Sequence, residues 1–225
     1  MRRLDHARHL LGDYPNAIRM RGLGLAARVP AGYAAGERRP VVLVPGVYER
    51  WHFLRPMADR LSAAGHPVHV LPELGVNARA IPGTARRVLD ALGERDLRGV
   101  ALVAHSKGGL IGKAAMLDDA EGRIDRLVAV ATPFSGARMA RLMVVPALRA
   151  FHPANAVIRR LVAERAVNAR ITSIAPAFDP HIPEGSELPG ATNVRLDVVG
   201  HFRVLEDAAA IEAVLAAVDR EPAAG

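Results

Sequence analysis

The sequence predicts an α/β protein: a mostly parallel, open sheet with helices on both faces. Short apolar runs such as "PVVLVPG" at 40–46 are rich in β-branched residues and stop at turn residues, the pattern of strands buried on both faces. Between them lie stretches whose apolar residues recur three and four apart, the spacing of a helix with one buried side. The two kinds alternate along the chain, which makes consecutive strands parallel with a helix in the crossover.

Taken in order, residues 1–39 read as an N-terminal extension, with a short amphipathic start (Leu4, Leu10, Leu11) and then Gly- and Arg-rich sequence. The first strand follows at 40–46. From Trp51 the spacing is helical, with Phe53, Leu54, Met57 and Leu61 on one side and Gly65 as a stop. "PVHVL" (67–71) is the second strand, and Pro82 opens a helix carrying Ala85, Val88, Leu89 and Leu92. "GVALVA" (99–104) is the third strand, with a helix from Lys107 to about Leu117 after it. "DRLVAVA" (125–131) is the fourth. "ARITSIA" (169–175) and "TNVRLDVV" (192–199) are the last two, and a helix from Val204 to Val218 closes the fold. Segment 134–168, broken at Pro146 and Pro153, is too long for a simple crossover. It is expected as a helical insertion, either a lid or cap over a site or an extra packed helix pair. No repeat or low-complexity linker divides the chain, so 1–225 is read as a single domain.

The 225 residues are enough for one substantial core. No apolar run approaches the roughly eighteen residues of a membrane span, and "MRRLDHARHLLGDYPNA" is too charged for the apolar region of a secretory signal. There is no cysteine, which excludes disulfides, thiol catalysis and thiolate metal sites and fits a reducing cytoplasm. The net charge is +7, with 30 Lys+Arg against 23 Asp+Glu. Lys107 and Lys113 are the only lysines, and the arginines are scattered without a basic run or interleaved aromatics. That pattern is not a nucleic-acid footprint.

The chemistry concentrates in "VALVAHSKGGLIGKAAM", Val100 to Met116. Ser106 falls at the C-terminal end of a central strand and just before a helix, the edge where ligands bind in open α/β sheets. A serine forced into a sharp strand-to-helix turn projects its hydroxyl and needs small residues two positions away on each side; these are Ala104 and Gly108. Gly109 then allows close packing of the helix. The helix N-terminus supplies N–H groups and a positive dipole end suited to an oxyanion. A lysine in that first turn is unfavourable by the same dipole, so Lys107 is read first as a backbone N–H donor, with its side-chain charge a candidate contact for an anionic substrate group. The alternative is an ordinary turn with a capping serine.

A nucleophilic serine needs a base, and the base an orienting acid. His201, in "VVGHFRVL", stands between the last strand and the last helix, where a loop can return it to the sheet edge. Of the other histidines, His105 adjoins the serine with a side chain expected to point away from it, His66 and His69 lie around an earlier strand, and His152 is in the insertion. For the acid, Asp179 in "AFDPHIP" follows the penultimate strand, whereas "ATPFSGA", after the strand at 125–131, holds no carboxylate. Asp197 falls within a predicted strand, and Glu184 and Glu187 lie farther along the loop. The other oxyanion donor is expected after the first strand, where Gly46 permits close backbone approach and Val47 N–H would join Lys107 N–H. Tyr48 and Trp51, with Met139 and Leu142 of the insertion, are candidates for an apolar substrate pocket or else for core.

Through "LVPGVYERWHFLRPMADRL", "VALVAHSKGGLIG", "VAVATPFSGA", "AFDPHIP" and "VVGHF", residues 40–219 resemble the α/β-hydrolase fold family, and within it the small bacterial lipase and esterase group. Serine, acid and histidine come in the family's order. The usual motif is G-x-S-x-G; Ala104 replaces its first glycine, as in some small bacterial lipases, and Pro45-Gly46 stands where many members have His-Gly. The resemblance implies Ser106 as nucleophile, His201 as general base and then acid, and Asp179 as the residue orienting His201, with no metal or organic cofactor. The implied activity is hydrolysis of a small-molecule carboxylic ester, with an apolar acyl or alcohol part, through an acyl-enzyme. A thioesterase, amidase or acyltransferase with the same triad, and a non-catalytic ligand-binding protein, are the alternatives.

Overall fold

A computed structural model of the chain describes residues 18, 19, 22, 28–138, 140 and 149–220. Its strands are β1 (Val41–Val44), β2 (Val68–His69), β3 (Val100–His105), β4 (Ile124–Val130), β5 (Ile171–Phe178) and β6 (Thr192–Val199). They form one sheet in the order β2-β1-β3-β4-β5-β6, with every neighbouring pair parallel. The helices are α1 (Arg55–Ala63), α2 (Ile81–Glu94), α3 (Lys107–Asp118), α4 (Ala156–Ala163) and α5 (Ala208–Asp219). The expected fold class is the one observed.

Strands β1 and β3 are buried along their whole length because both faces are covered. Val42, Val44, Leu102 and Ala104 pack with α2, α3 and α4; Val41, Leu43, Ala101 and Val103 pack with α1 and α5. Only β6, at the edge, alternates half-buried with exposed residues along most of its length. After β1 the chain moves to one side to form β2, then crosses back over β1 to form β3. This reversal opens a crevice at the C-terminal ends of β1 and β3, where loops from the two diverge.

Two helices start later than the periodicity predicts. Residues Trp51–Leu54 make a 3₁₀ turn, and α1 begins at Arg55. An α-helix running from Trp51 would need an N–H from Pro56 for the His52 carbonyl, which proline lacks; proline is tolerated only in a first turn. At the C-terminal end, Arg203–Leu205 is a separate 3₁₀ turn, because the Asp207 side chain accepts the Ala210 N–H at 3.0 Å and so starts α5. β5 runs three residues beyond the expected 169–175 and carries the chain to Asp179.

In the insertion, the Asn155 side chain accepts the Val157 N–H and starts α4, whose Ile158 and Leu161 are buried in the same layer as α2 and α3. Arg160 bonds Asp118 at the end of α3, 2.7 Å away. Met139 and Leu142 lie outside the described residues. In the N-terminal extension Tyr33 is buried, donates to Asp59 at 2.5 Å and meets the edge of the Trp51 ring. Among the described residues no helix is long and apolar enough to cross a membrane.

Lys113 on α3 is 0% exposed, and its amine has no hydrogen-bond partner among the described residues. Burial, reinforced by Arg165, pushes its pKa down to about 8 from an ordinary 10.5. Between those values the unfolded chain binds the extra proton, so the stability tied to this residue rises with pH, and below about 8 its full cost is present. Lys113→Met is therefore expected to stabilise the fold by roughly 1–2 kcal/mol at pH 7. Urea unfolding at pH 7 and again at pH 10 should show that gain shrinking at the higher pH.

Candidate active site

Strand β3 ends at His105 and α3 begins at Lys107, so Ser106 alone makes the turn. It does so at φ 51°, ψ −120°, a region that costs a non-glycine residue on the order of 1–3 kcal/mol. Three bonds hold it there: Ser106 N–H donates to the Val130 carbonyl at 2.8 Å, and the Ser106 carbonyl accepts from Thr132 Oγ1 at 3.0 Å and from the Gly109 N–H at 3.1 Å. The glycines after it are fixed by their neighbours. A Cβ on Gly108 would lie 2.0 Å from the Val44 carbonyl oxygen, and one on Gly109 would lie 2.1 Å from Thr132 Oγ1.

The loops after β5 and β6 are drawn together where Gly200 N–H donates to the Phe178 carbonyl at 3.0 Å. Beyond that bond, Asp179 Oδ2 lies 2.7 Å from His201 Nδ1, and Asp179 Oδ1 accepts the backbone N–H of His181 (2.8 Å) and of Ile182 (3.0 Å). Both side chains are buried. Burial would raise the Asp179 pKa, but His201 first and then His181, through its backbone N–H and its ring, outweigh it and hold the carboxyl below its usual range. For His201 burial lowers the pKa, Asp179 opposes, and His105 and His181 add to the lowering, so the ring is held below the ordinary histidine value. With Nδ1–H directed at Asp179, Nε2 carries the basic lone pair. The His201 carbonyl lies 3.1 Å from His105 Nε2, and the two rings are 4.7 Å apart, which sets His201 beside His105 at the end of β3.

On the loop after β1, Glu49 folds back so that its Oε2 accepts the Gly46 N–H at 2.7 Å. A Cβ on Gly46 would lie 2.4 Å from that carboxylate, so this glycine is required by Glu49 rather than by a ligand. Val47 and Tyr48 follow, both half-buried, Tyr48 at φ 58°. Trp51 lines a cavity of about 230 Å³ together with Leu43, Pro45, Arg50, His52 and Leu71.

The Lys107 side chain does not offer its charge to a ligand. It is 1% exposed, and its Nζ donates to the Asn77 carbonyl at 2.8 Å and to the Arg79 carbonyl, on the loop after β2. Asn77 Nδ2 in turn donates to the Pro45 carbonyl at 2.6 Å. Burial pushes the amine down to a pKa of about 8.

The remaining alternatives lie elsewhere. Asp197, Glu184 and Glu187 are exposed, and His66 lies 2.9 Å from the Arg39 carbonyl, before β1 and so at the opposite edge of the sheet. His69 is on β2 and His152 in the insertion. Among the described residues no group of three or more His, Asp and Glu is placed to hold a metal ion. Sequence reasoning missed Glu49 and the partner role of His105. The available signal was that Glu49 is the one acidic residue between Arg38 and Ala58, three positions after Gly46, a spacing at which a carboxylate can reach back to a backbone N–H.

No protein-family model matches the sequence, and no curated protein does. Solved structures do. Lipase B of Aspergillus fumigatus matches with a TM-score of 0.71 at 21% identity, over 86% of this chain and 56% of that one. The propeptide form of the Bacillus licheniformis lipase BlEst2 gives 0.60 at 15% identity, over 87% and 52%. An extracellular α/β-hydrolase from a Paenibacillus species gives 0.58 at 16% identity, over 82% of this chain and all (100%) of that one. The chain has the α/β-hydrolase fold. It spans about half the length of the first two structures.

Within this α/β-hydrolase frame the turn at Ser106 tolerates no extra atom on its inner side. Gly108→Ala is expected to cost about 3 kcal/mol or more, because the clashing atom is backbone of β1 and cannot rotate away. Chemical denaturation of the purified variant against wild type measures it.

Proposed function

We propose that this protein is a serine hydrolase that cleaves carboxylic esters through an acyl-enzyme on Ser106. The observation that carries this reading is a strained serine on a strand-to-helix turn beside a buried Asp179–His201 pair. In the proposed reaction Ser106 Oγ attacks the ester carbonyl while His201 Nε2 takes its proton. The resulting oxyanion is held by the N–H groups of Val47 and Lys107, the latter in the first turn of α3, where N–H groups have no partner within the helix. The tetrahedral intermediate collapses as His201 returns the proton to the departing alcohol. Water then attacks the acyl-enzyme, giving its proton to His201, and as the bond to Ser106 Oγ breaks His201 returns a proton to Oγ and the acid leaves. Asp179 keeps the imidazole in the tautomer and orientation that both steps use. No group beyond these side chains and backbone donors is required.

The proposed substrate is a small ester with an apolar acyl or alcohol part. Support comes from the apolar side chains Leu43, Trp51 and Leu71 in the cavity at Trp51, which shares Pro45 with the loop that carries Val47. Solved structures of similar fold include lipases of a fungus and of a bacterium, which is consistent with such a substrate for this chain.

Treatment with a fluorophosphonate is expected to add one adduct, mapped to Ser106 by peptide mass. Ser106→Ala should lose both the adduct and p-nitrophenyl ester hydrolysis, and Asp179→Asn should lower kcat by about 10⁴. Folded protein that takes no adduct would sink the reading. The pH dependence has a definite sign. His201 must be neutral to accept a proton, and its pKa is held below the ordinary 6.5, so the acid limb of kcat/KM should be centred below that pH. A kcat/KM profile from pH 5 to 8 checks this, and an acid limb centred above 6.5 would contradict it.

A further inference from the structure

Apart from Asp179 and His201, the site holds a second buried acid–histidine pair. His105 is 0% exposed, with Nδ1 at 2.8 and 2.9 Å from the two Glu49 oxygens and Nε2 at 3.1 Å from the His201 carbonyl. A carbonyl oxygen only accepts, so Nε2 must carry a hydrogen. A carboxylate also only accepts, and imidazole is the more basic of the pair, so the proton between them resides on Nδ1. With hydrogens on both nitrogens His105 is an imidazolium, its charge balanced by Glu49. Its two N–H groups are both committed, so it cannot compete with His201 for the serine proton.

The same carboxylate takes the Gly46 N–H at 2.7 Å. Three separate pieces of chain are thereby joined: the loop leading to Val47, the end of β3 beside Ser106, and the backbone of His201. The titratable groups around His105 are Glu49 from the loop after β1, His201 from the loop after β6 and, beyond it, Asp179 and His181 from the loop after β5. Burial works against a charge on His105, but Glu49, the His201 carbonyl and Asp179 outweigh it.

We propose that Glu49 and His105 form a charged brace that fixes the backbone at Gly46 and at His201, and so act as positioning residues for the acyl transfer at Ser106. This rests on the serine-hydrolase reading for its consequence, but not for its geometry.

The test uses three proteins: wild type, Glu49→Gln and Glu49→Ala. In ¹⁵N-histidine NMR at pH 8, wild-type His105 is expected to show two protonated ring nitrogens. Glu49→Gln should show one, because the amide can keep the Gly46 bond through its oxygen while donating its NH₂ to a neutral Nδ1. Since the geometry is then retained, kcat on a p-nitrophenyl ester should stay within about tenfold of wild type. Glu49→Ala should lose about a hundredfold in kcat with little change in KM, and amide hydrogen exchange at 45–48 and 200–203 should quicken. A neutral His105 in wild type would overturn the charged brace. A folded Glu49→Ala with wild-type kcat and unchanged exchange would overturn the positioning role. Should Glu49→Ala fail to fold, the Glu49→Gln spectrum and rate decide alone: a ring still doubly protonated, or a hundredfold loss despite retained geometry, counts against the brace. An inactive wild type that still gives the NMR and exchange results would count against the hydrolase reading and not against the brace.

Discussion

A serine at φ 51°, ψ −120° is held there less by its own turn than by the packing on either side of it. Its three hydrogen bonds, one to β4, one from Thr132 and one from the Gly109 N–H, contribute about 1 kcal/mol each, comparable with the roughly 1–3 kcal/mol of strain. The balance comes from the elements on either side. β3 is paired with β1 and β4 along its length, and α3 is pressed onto β1 so closely that Gly108 has no room for a methyl. The turn cannot relax unless the strand or the helix moves, and both are anchored in the core. Thr132 serves twice, as donor to the Ser106 carbonyl and as the wall that makes Gly109 necessary.

The two acid–histidine pairs show how one pairing can be biased in opposite directions. His105 and His201 are both buried, and for each the largest influence is desolvation, which favours the neutral ring. The difference lies in what faces each ring. His105 meets both oxygens of Glu49 and a backbone carbonyl, all acceptors, and its pKa is raised. His201 meets a single Asp179 oxygen whose carboxylate partner atom is shared out to two backbone N–H groups, and it has two histidines nearby, so its pKa is lowered. The ring proposed to give and take a proton is shifted toward its neutral form, and the ring proposed as the brace toward its charged form.

What could be read from the sequence follows from the range of the interactions involved. The strands were legible because a sheet covered on both faces writes itself as continuous apolar runs, and the strand-to-helix turn because its demands fall within Ala104 to Gly109. Asp179 and His201 were nominated by their place after predicted strands, and the structure sets them 2.7 Å apart. Helix starts were misplaced where one residue overrode the periodicity, Pro56 by lacking an N–H and Asp207 by capping. The Glu49–His105 pair was illegible for another reason. Its partners are 56 residues apart, and nothing in either neighbourhood names the other. Gly46 was correctly marked as a place of close approach, but the approaching group is a side chain three residues on.

Lys107 shows the same limit from the opposite side: its residue type drew notice, while its direction depended on a loop from another strand. By the helix dipole an ammonium in the first turn of α3 is unfavourable, and burial adds to the cost. What offsets both is the loop after β2, which presents the carbonyls of Asn77 and Arg79 to Nζ. Those carbonyls need donors of their own, and a lysine carries enough N–H groups for both. Since the amine titrates at about 8, it loses its charge within the working range of many hydrolytic enzymes. A neutral amine still has two hydrogens for two carbonyls, so the tie between α3 and this loop does not depend on the charge. Through Asn77 and Pro45 the tie continues to the loop that carries Val47. The backbone N–H groups proposed to hold the oxyanion therefore belong to segments fastened to one another by uncharged as well as charged bonds, which keeps their spacing insensitive to the protonation of the residue between them.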